Sequence, residues 1–186
     1  MTPPEPRRLA LLGGESSGKT TLALALARRL GTVWVPEYGR RRWEELRRDL
    51  TPDELVEVAR EQVRLEEEAA AAVDGRGWII CDTTPLTTLQ YCLHDHGGAP
   101  PELVDLARRR YARTVVCEPD FGFVQDGCRR SNLFRAEQHA WTVGRLTEMG
   151  VEYLTVHGTP AQRLQAVLRD VGDDNRISPL SEAEPI

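Results

Sequence analysis

The chain has 186 residues, 40% of them hydrophobic, and a formal net charge of −5 at pH 7. This length favours one domain with a full hydrophobic core, and the acidic balance argues against sequence-independent binding to nucleic acid. Since no apolar run is long enough to span a membrane and the N-terminus lacks the pattern of a signal peptide, we expect a cytoplasmic protein without a membrane partner.

Segments with the pattern of strands alternate along the sequence with segments that have the pattern of helices. The predicted strands cover about residues 8–13, 32–35, 77–82, 114–117 and 151–156. The predicted helices cover about residues 18–30, 51–75, 84–93, 100–113, 134–149 and 159–171. This alternation predicts a three-layer α/β sandwich, in which helices cover both faces of a parallel sheet of about five strands. A ligand is expected at the carboxyl ends of those strands.

The two ends of the sequence are polar or rich in proline. We therefore expect residues 1–7 to form a flexible tail, residues 8–171 to form the folded domain, and residues 172–186 to form a disordered tail. An oligomer of this domain is compatible with the sequence.

The first predicted strand is followed by a segment, Gly13–Thr20, with the spacing G-x-x-x-x-G-K-[ST]. Gly13 and Gly18 allow the backbone to wrap around an anion, and the helix that follows adds its positive N-terminal end. We expect Lys19 to reach the outer phosphates and the Thr20 hydroxyl to bind Mg²⁺. This motif predicts binding of a nucleoside triphosphate by the following residues: Gly13, Gly14, Glu15, Ser16, Ser17, Gly18, Lys19, Thr20 and Thr21.

A single aspartate, Asp82, ends the buried apolar strand. This is the expected place for a second carboxylate directed at Mg²⁺ in a P-loop protein, although a cap of the following turn is the alternative. The next residue is Thr83, so the chain lacks the adjacent glutamate that activates water in many P-loop ATPases, and no N-K-x-D run reads guanine. Transfer to the hydroxyl of a bound acceptor remains open.

The block Glu37-Tyr38-Gly39-Arg40 follows the second predicted strand. Its carboxylate is suited to accept the proton of an acceptor hydroxyl or to bind a ribose diol. Tyr38 offers an aromatic plane, and Arg40 a guanidinium for phosphate. The alternative is a surface turn with a solvated Glu–Arg pair.

The segment of about residues 120–135 contains glycine, phenylalanine and three arginines, and it has poor helical periodicity. We predict a lid here, whose arginines neutralise charge on the transferred phosphoryl group while the lid excludes water. A solvated charged loop is the alternative.

Several other patterns predict structure rather than chemistry. The His94 and His96 pair has no third metal ligand nearby, and the charge runs at residues 66–68 and 108–110 are predicted to be solvated helix faces. The four cysteines have no C-x-x-C spacing and are expected to be reduced thiols. Five large aromatics are expected in the core, with one or two free to stack on a base: Trp34, Trp43, Trp78, Tyr91 and Trp141.

Taken together, these motifs resemble the ribosylnicotinamide kinase domain of the bacterial NadR proteins. The resemblance spans about residues 9–171, and it is carried by the following blocks: Gly13–Thr21, Glu37–Arg40, Asp82-Thr83 with Thr87-Thr88, and Asp126-Gly127-x-Arg129 with Arg135. It implies a P-loop nucleoside or nucleotide kinase fold with a lid. It also implies phosphorylation of the 5′-hydroxyl of nicotinamide riboside with ATP and Mg²⁺.

The resemblance also implies roles for individual residues. Gly13, Gly18, Lys19 and Thr20 would hold ATP-Mg²⁺, with Asp82 assisting the metal or the hydroxyl. The implied catalytic residues are Lys19, Glu37, Asp82, Arg129 and Arg135. The implied acceptor-binding residues are Glu37, Tyr38, Arg40, Asp82 and Thr83, and the implied metal ligands are Thr20 and Asp82.

Two other functions stay open on the sequence. One is a kinase of another nucleoside or of a nucleoside monophosphate, for which Arg40, Arg41 and Arg42 supply positive charge. The other is a regulatory ATP-binding module with slow ATPase activity. No segment matches the helix-turn-helix or nucleotidyltransferase parts of bifunctional NadR, so the resemblance does not extend to repression or to adenylylation of the product.

Overall fold

The computed structural model of the chain describes residues 6–73, 77–124 and 129–172. Within these ranges, one parallel sheet has the strand order β2-β3-β1-β4-β5. The strands are β1 (Arg7–Leu12), β2 (Trp34–Val35), β3 (Trp78–Asp82), β4 (Arg113–Cys117) and β5 (Leu154–Val156). This sheet confirms the predicted fold class. Most of the two predicted tails, residues 1–5 and 173–186, lies outside the described residues.

The helices of the described part pack on both faces of the sheet. They are α1 (Lys19–Leu30), α2 (Tyr38–Leu46), α3 (Pro52–Ala72), α4 (Pro85–His96), α5 (Pro101–Leu106), α6 (Asn132–Glu148) and α7 (Pro160–Asp170). Among these residues, none of the helices combines the length and the apolar character of a membrane span.

Alternation along the central strands divides the core into two clusters. In β1, Leu9 and Leu11 pack against α1 and α7, whereas Leu12 packs on the other face with residues of α3, α4, α5 and α6. β4 shows the same alternation, with Val115 in the first cluster and Val116 in the second. There are two clusters because successive side chains of a strand point to opposite faces of the sheet, and helices bury both faces.

Most helix starts and stops agree with the sequence signals. Thr51 accepts a hydrogen bond from the Glu54 backbone, and the Glu54 carboxylate accepts one from Thr51 N at 2.9 Å, which forms a capping box. Thr84 and Thr159 also cap helices that have a proline in the first turn. Gly31 ends α1 with φ +61°, a conformation that suits glycine.

Helix α2 was not predicted from the sequence. None of its residues is buried, and five charged residues separate Tyr38, Trp43 and Leu46, so the apolar side of this helix was not recognised in the sequence. Ion pairs one turn apart, Arg40–Glu44 and Arg41–Glu45, support it locally, each by about 0.3–0.5 kcal/mol. Helix α5 is shorter than predicted and ends at Leu106 rather than near residue 113.

One of the predicted solvated charge runs is wrong, because Glu66 is fully buried. Its carboxylate accepts hydrogen bonds from Arg109 Nε at 3.0 Å and from the Tyr111 hydroxyl at 3.0 and 3.2 Å. Burial raises the pKa of Glu66 from 4.5 to about 7, although Arg109 and Tyr111 act in the opposite direction. The carboxyl group therefore holds a proton in the folded protein at pH values where the unfolded chain has lost it.

This buried carboxyl group should make stability depend on pH. Because the folded state binds the extra proton between about pH 4.5 and 7, the contribution of Glu66 is full below pH 4.5 and is lost as pH rises to about 7. We expect Glu66→Gln to flatten the fall of the unfolding free energy with rising pH in this window. Urea denaturation at pH 5, 6 and 7 measures the slope. Glu68→Gln, at an exposed position, is the control, and equal slopes for wild type and Glu66→Gln would contradict the assignment.

Candidate active site

The strand order brings three polar segments to one edge of the sheet. β1 pairs with β3, and β3 pairs with β2, all in parallel. The residues at their carboxyl ends are the phosphate loop (residues 13–18), Asp82 and Glu37. Since carboxyl ends of parallel strands meet at the same edge, these groups lie side by side although they are far apart in sequence.

The phosphate loop packs too closely for side chains at its first two positions. Gly13 has φ +132°, and a Cβ atom there would lie 2.5 Å from the carbonyl oxygen of Cys117. A Cβ atom on Gly14 would lie 2.5 Å from the carbonyl oxygen of Arg135. The loop is therefore fixed against β4 and α6 by backbone contacts that require glycine. Lys19 Nζ donates to the carbonyls of Gly13 at 3.0 Å and Gly14 at 2.8 Å, which holds its charge beside the loop.

Glu15 anchors the loop through three hydrogen bonds. Its backbone N–H donates to Gln138 Oε1 at 2.7 Å, and its carboxylate accepts from the Tyr91 hydroxyl and from Arg130 N, both at 2.8 Å. Burial and the nearby carboxylates of Glu37 and Glu15 raise the pKa of Tyr91 well above its usual value, so it stays a donor. The Glu15 carboxylate thus binds donors on α4 and on the arginine-bearing segment, and its backbone N–H donates to α6.

Thr20 and Asp82 form a pair that suits a hard cation. The Thr20 hydroxyl donates to Asp82 Oδ2 at 2.7 Å. Asp82 Oδ1 is buried and has no hydrogen-bond partner within the described residues. Burial raises the pKa of Asp82, while the Thr20 hydroxyl, Lys19 and the nearby Trp34 indole lower it. A buried carboxylate oxygen left without a donor, next to a threonine hydroxyl, fits the oxygen ligands that Mg²⁺ prefers.

Glu37 lies at the N-terminal end of α2 and makes no capping hydrogen bond. Desolvation raises its pKa from 4.5 to about 7, and Asp82 and Glu15 add to the rise, whereas Lys19 and Arg40 lower it. The residue is half-buried and lines a cavity. Its carboxyl group therefore gains and loses its proton near neutral pH.

A cavity of about 330 Å³ joins the phosphate loop to Glu37. The predicted site residues that line it are Glu15, Ser16, Ser17, Gly18, Lys19, Thr20, Thr21, Glu37, Arg40, Thr83 and Arg129. Asp82 lies beneath it, bonded to Thr20. Thr83 has φ +78° and a buried hydroxyl without a partner among the described residues.

Two predicted site residues point away from this cavity. The Tyr38 ring packs with the second core cluster and lies under the Arg41 guanidinium, 4.6 Å from its carbon. Arg135 is buried, and its Nη1 donates to the carbonyl oxygen of Phe121 at 2.9 Å. Arg135 therefore braces the segment after β4, while Arg129 lines the cavity and donates to the carbonyl of Val124 at 2.5 Å. Asp126 and Gly127, part of the predicted lid, lie outside the described residues.

Sequence reasoning missed much of the cavity wall. Its unassigned members include Leu50, Leu55, Val58, Gln62, Asp95 and Arg130. Trp43 and Tyr91, two of the aromatics considered for stacking, also line it. Arg130 Nη2 lies 2.5 Å from Asp95 Oδ2, so this arginine reaches α4 across the cavity. Because these residues come from α2, α3, α4 and the segment before α6, only the tertiary packing brings them together.

A family model described as an AAA domain matches residues 8–163. The chain belongs to the AAA domain family. The trifunctional NAD biosynthesis/regulator protein NadR of Escherichia coli (strain K12) is 29% identical over 158 residues, which cover 81% of this chain and 38% of that protein. This similarity confirms the resemblance to NadR, and the chain spans less than half the length of this relative.

Solved structures of other proteins have the same fold as this AAA domain. A NadR protein in complex with NR superposes with a TM-score of 0.68 at 22% identity, covering 88% of this chain and 51% of that chain. A thymidylate kinase from Candida albicans superposes with a TM-score of 0.65 at 13% identity, covering 92% of this chain and 93% of that chain. At these identities, the comparison establishes the fold.

The Thr20–Asp82 pair predicts a separable effect on stability and on metal dependence. Asp82→Asn keeps an oxygen for the Thr20 hydroxyl but removes a buried charge, so we expect the Tm of the ligand-free protein to rise by about 2 °C. We also expect Mg²⁺ to stop improving the affinity for a non-hydrolysable ATP analogue. Calorimetric titration with and without Mg²⁺ measures this. Asp105→Asn, at an exposed position of α5, is the control. Unchanged Mg²⁺ dependence in Asp82→Asn would exclude it as a metal ligand.

Proposed function

We propose that this domain is an ATP-dependent nucleoside kinase that phosphorylates the 5′-hydroxyl of nicotinamide riboside. The observation that carries this proposal is the cavity of about 330 Å³, which has the phosphate loop on one side and the Glu37 carboxyl group on the other. A cavity of this size accommodates a small molecule. A triphosphate in the loop and an acceptor beside Glu37 would then face each other.

Glu37 is the group best suited to accept the proton of the acceptor hydroxyl. A general base works best when its pKa lies near the operating pH, and the pKa of Glu37 is about 7. Asp82 is buried and bonded to Thr20, which suits it to holding Mg²⁺ rather than to contacting the acceptor. When bound, that ion would neutralise charge on the β- and γ-phosphate oxygens.

Two arginines and Lys19 are placed to stabilise charge that develops during transfer. Arg129 and Arg130 both line the cavity. Arg130 is held by its backbone bond to Glu15 and by its ion pair with Asp95. Positive groups fixed before the reaction stabilise the transferred phosphoryl group without reorganisation at the moment of transfer.

The arginines of α2 are engaged within the helix, which favours a nucleoside over a nucleoside monophosphate. Arg40 pairs with Glu44 and lines the cavity. Three acidic residues, Glu37, Asp49 and Asp95, line it as well, and of these Asp95 pairs with Arg130. Arg41 lies over the Tyr38 ring and pairs with Glu45, so it is engaged on the outer face of α2. A phosphate group on the acceptor would meet these carboxylates, whereas a cationic or neutral acceptor would be attracted or tolerated.

A pyridinium nucleoside agrees with this environment. Trp43 supplies an aromatic wall of the cavity, and aromatic faces attract cations. The nearby carboxylates add to that attraction. The similarity to a protein named for NAD biosynthesis, and to a NadR structure in complex with NR, supports nicotinamide riboside as the acceptor.

A screen of nucleosides by coupled ADP release tests the proposal. We expect nicotinamide riboside with ATP and Mg²⁺ to give the highest turnover, and nicotinamide mononucleotide to give none. Lys19→Ala should abolish turnover with the Tm within about 2 °C of wild type, since the bonds of Lys19 within the described part of the chain go to two loop carbonyls. Higher turnover with thymidine or deoxyadenosine would show that this nucleoside, and not nicotinamide riboside, is the acceptor. Phosphate release at full rate without any acceptor would instead favour a regulatory ATPase.

The role of Glu37 predicts a distinctive pH profile. Because the base acts in its deprotonated form, kcat/KM of the wild type should rise with pH and level off above about 7. We expect Glu37→Gln to lose about 10²–10⁴-fold in kcat and to lose this rise, with unchanged affinity for the ATP analogue. Glu44→Gln, on the exposed side of α2, is the matched control. A Glu37→Gln profile with the wild-type rise would remove Glu37 from proton transfer.

A further inference from the structure

Arg163 has no role in the motifs that the sequence revealed, yet it is the largest fully buried side chain among the described residues. It lies near the N-terminal end of α7, and only 1% of its surface is exposed. Burying a guanidinium is costly unless its donors are satisfied. Its partners therefore indicate what the residue does.

The guanidinium of Arg163 binds three separate loops at the sheet edge. Nη1 donates to the carbonyl of Ser17 at 2.7 Å, Nε to the carbonyl of Gly158 at 3.0 Å, and Nη2 to the carbonyl of Glu118 at 2.9 Å. These carbonyls belong to the phosphate loop, the loop after β5 and the loop after β4, respectively. One side chain thus fixes the spacing of all three.

The bond to Ser17 acts on the peptide that presents the Gly18 N–H. A carbonyl that accepts from a cation is polarised, which makes the N–H of the same peptide a stronger donor. In this motif the loop N–H groups contact the phosphates. We propose that Arg163 is a positioning residue of the nucleotide site, which orients the Ser17–Gly18 peptide and strengthens its N–H toward a bound triphosphate.

Asp120 compensates the charge of the buried guanidinium. Its carboxylate pairs with Arg163 and also accepts from Gly158 N at 2.6 Å. Burial acts to raise the pKa of Asp120, but the Gly158 N–H and the Arg163 charge outweigh it, so its pKa lies below the usual value. Asp120 thus stays ionised beside the guanidinium and connects it to the loop after β5.

Phe121 adds a second contact to the same peptide. Its ring centroid lies 4.2 Å from the Arg163 guanidinium carbon, and a Cβ atom on Gly18 would lie 2.9 Å from Phe121 Cε2. The ring therefore packs against both the buried cation and the phosphate loop. Arg163 and Phe121 together limit the orientations available to the Ser17–Gly18 peptide.

This inference rests on triphosphate binding by the loop and not on the identity of the acceptor. We therefore test it by direct binding of a non-hydrolysable ATP analogue with Mg²⁺, measured by titration calorimetry. Arg163→Lys keeps the charge, but one ammonium cannot bond to three loops at once. Arg163→Met keeps the aliphatic packing and removes both charge and donors. Arg169→Lys, at an exposed position of the same helix, is the control.

We expect the Kd of the analogue to rise about tenfold in Arg163→Lys and further in Arg163→Met, with no change in Arg169→Lys. The Kd of nicotinamide riboside, or of the nucleoside that the screen selects, should stay within twofold of the wild type. An unchanged analogue Kd in folded Arg163→Lys would overturn the proposal. Equal weakening for both ligands would also overturn it, because that result marks a general loss of structure.

If the Arg163 variants do not fold, Asp120→Asn provides the test. This variant keeps the carbonyl bonds of Arg163 and removes its ionised partner. We expect a several-fold rise in the Kd of the analogue and an unchanged Kd of the acceptor. A wild-type Kd for the analogue in Asp120→Asn would contradict the proposed coupling between these loops and the phosphate loop. Failure of the kinase assay alone leaves this result unaffected.

Discussion

The close contact between the phosphate loop and its neighbours determines how the rest of the site is arranged. A Cβ atom on Gly13 would lie 2.5 Å from the carbonyl oxygen of Cys117, and one on Gly14 would lie 2.5 Å from that of Arg135. The loop is therefore in direct contact with the end of β4 and the first turns of α6. The pairing of β1 with β3 also places the Asp82 carboxylate next to Thr20. Close backbone packing thus places the polar groups before any ligand binds.

Three carboxylates share this small region with Lys19, and their environments differ. Glu15 accepts from two protein donors, Asp82 accepts from Thr20 and keeps one free oxygen among the described residues, and Glu37 has no capping bond. Burial acts on Asp82 and Glu37 in the same direction, but only Glu37 lines the cavity. The environments therefore separate an anchoring acid, an acid suited to a cation, and an acid suited to proton transfer.

The features that sequence reasoning predicted are local ones. The phosphate loop, the threonine caps and the strand that ends at Asp82 depend on residues close together in the chain, and the strand pattern was enough for the fold. Helix α2 has few apolar residues and none that is buried, so its short pattern was overlooked, whereas Glu66 is buried by partners distant in sequence and had no local signal. The same holds for the cavity wall. Arg163 is a single arginine whose importance depends on three loops that meet only in the fold.

The edge strand β2 has only two residues, and it pairs with β3 alone. Glu37 follows this short strand, so the sheet gives its backbone little support. The next residue, Tyr38, donates its N–H to Gln62 Oε1 at 2.9 Å, and Gln62 lies in the middle of α3. The longest helix of the described chain thus holds the start of α2 in register. The position of the Glu37 carboxylate therefore depends on a side chain of α3 that is 24 residues beyond Tyr38 in the sequence.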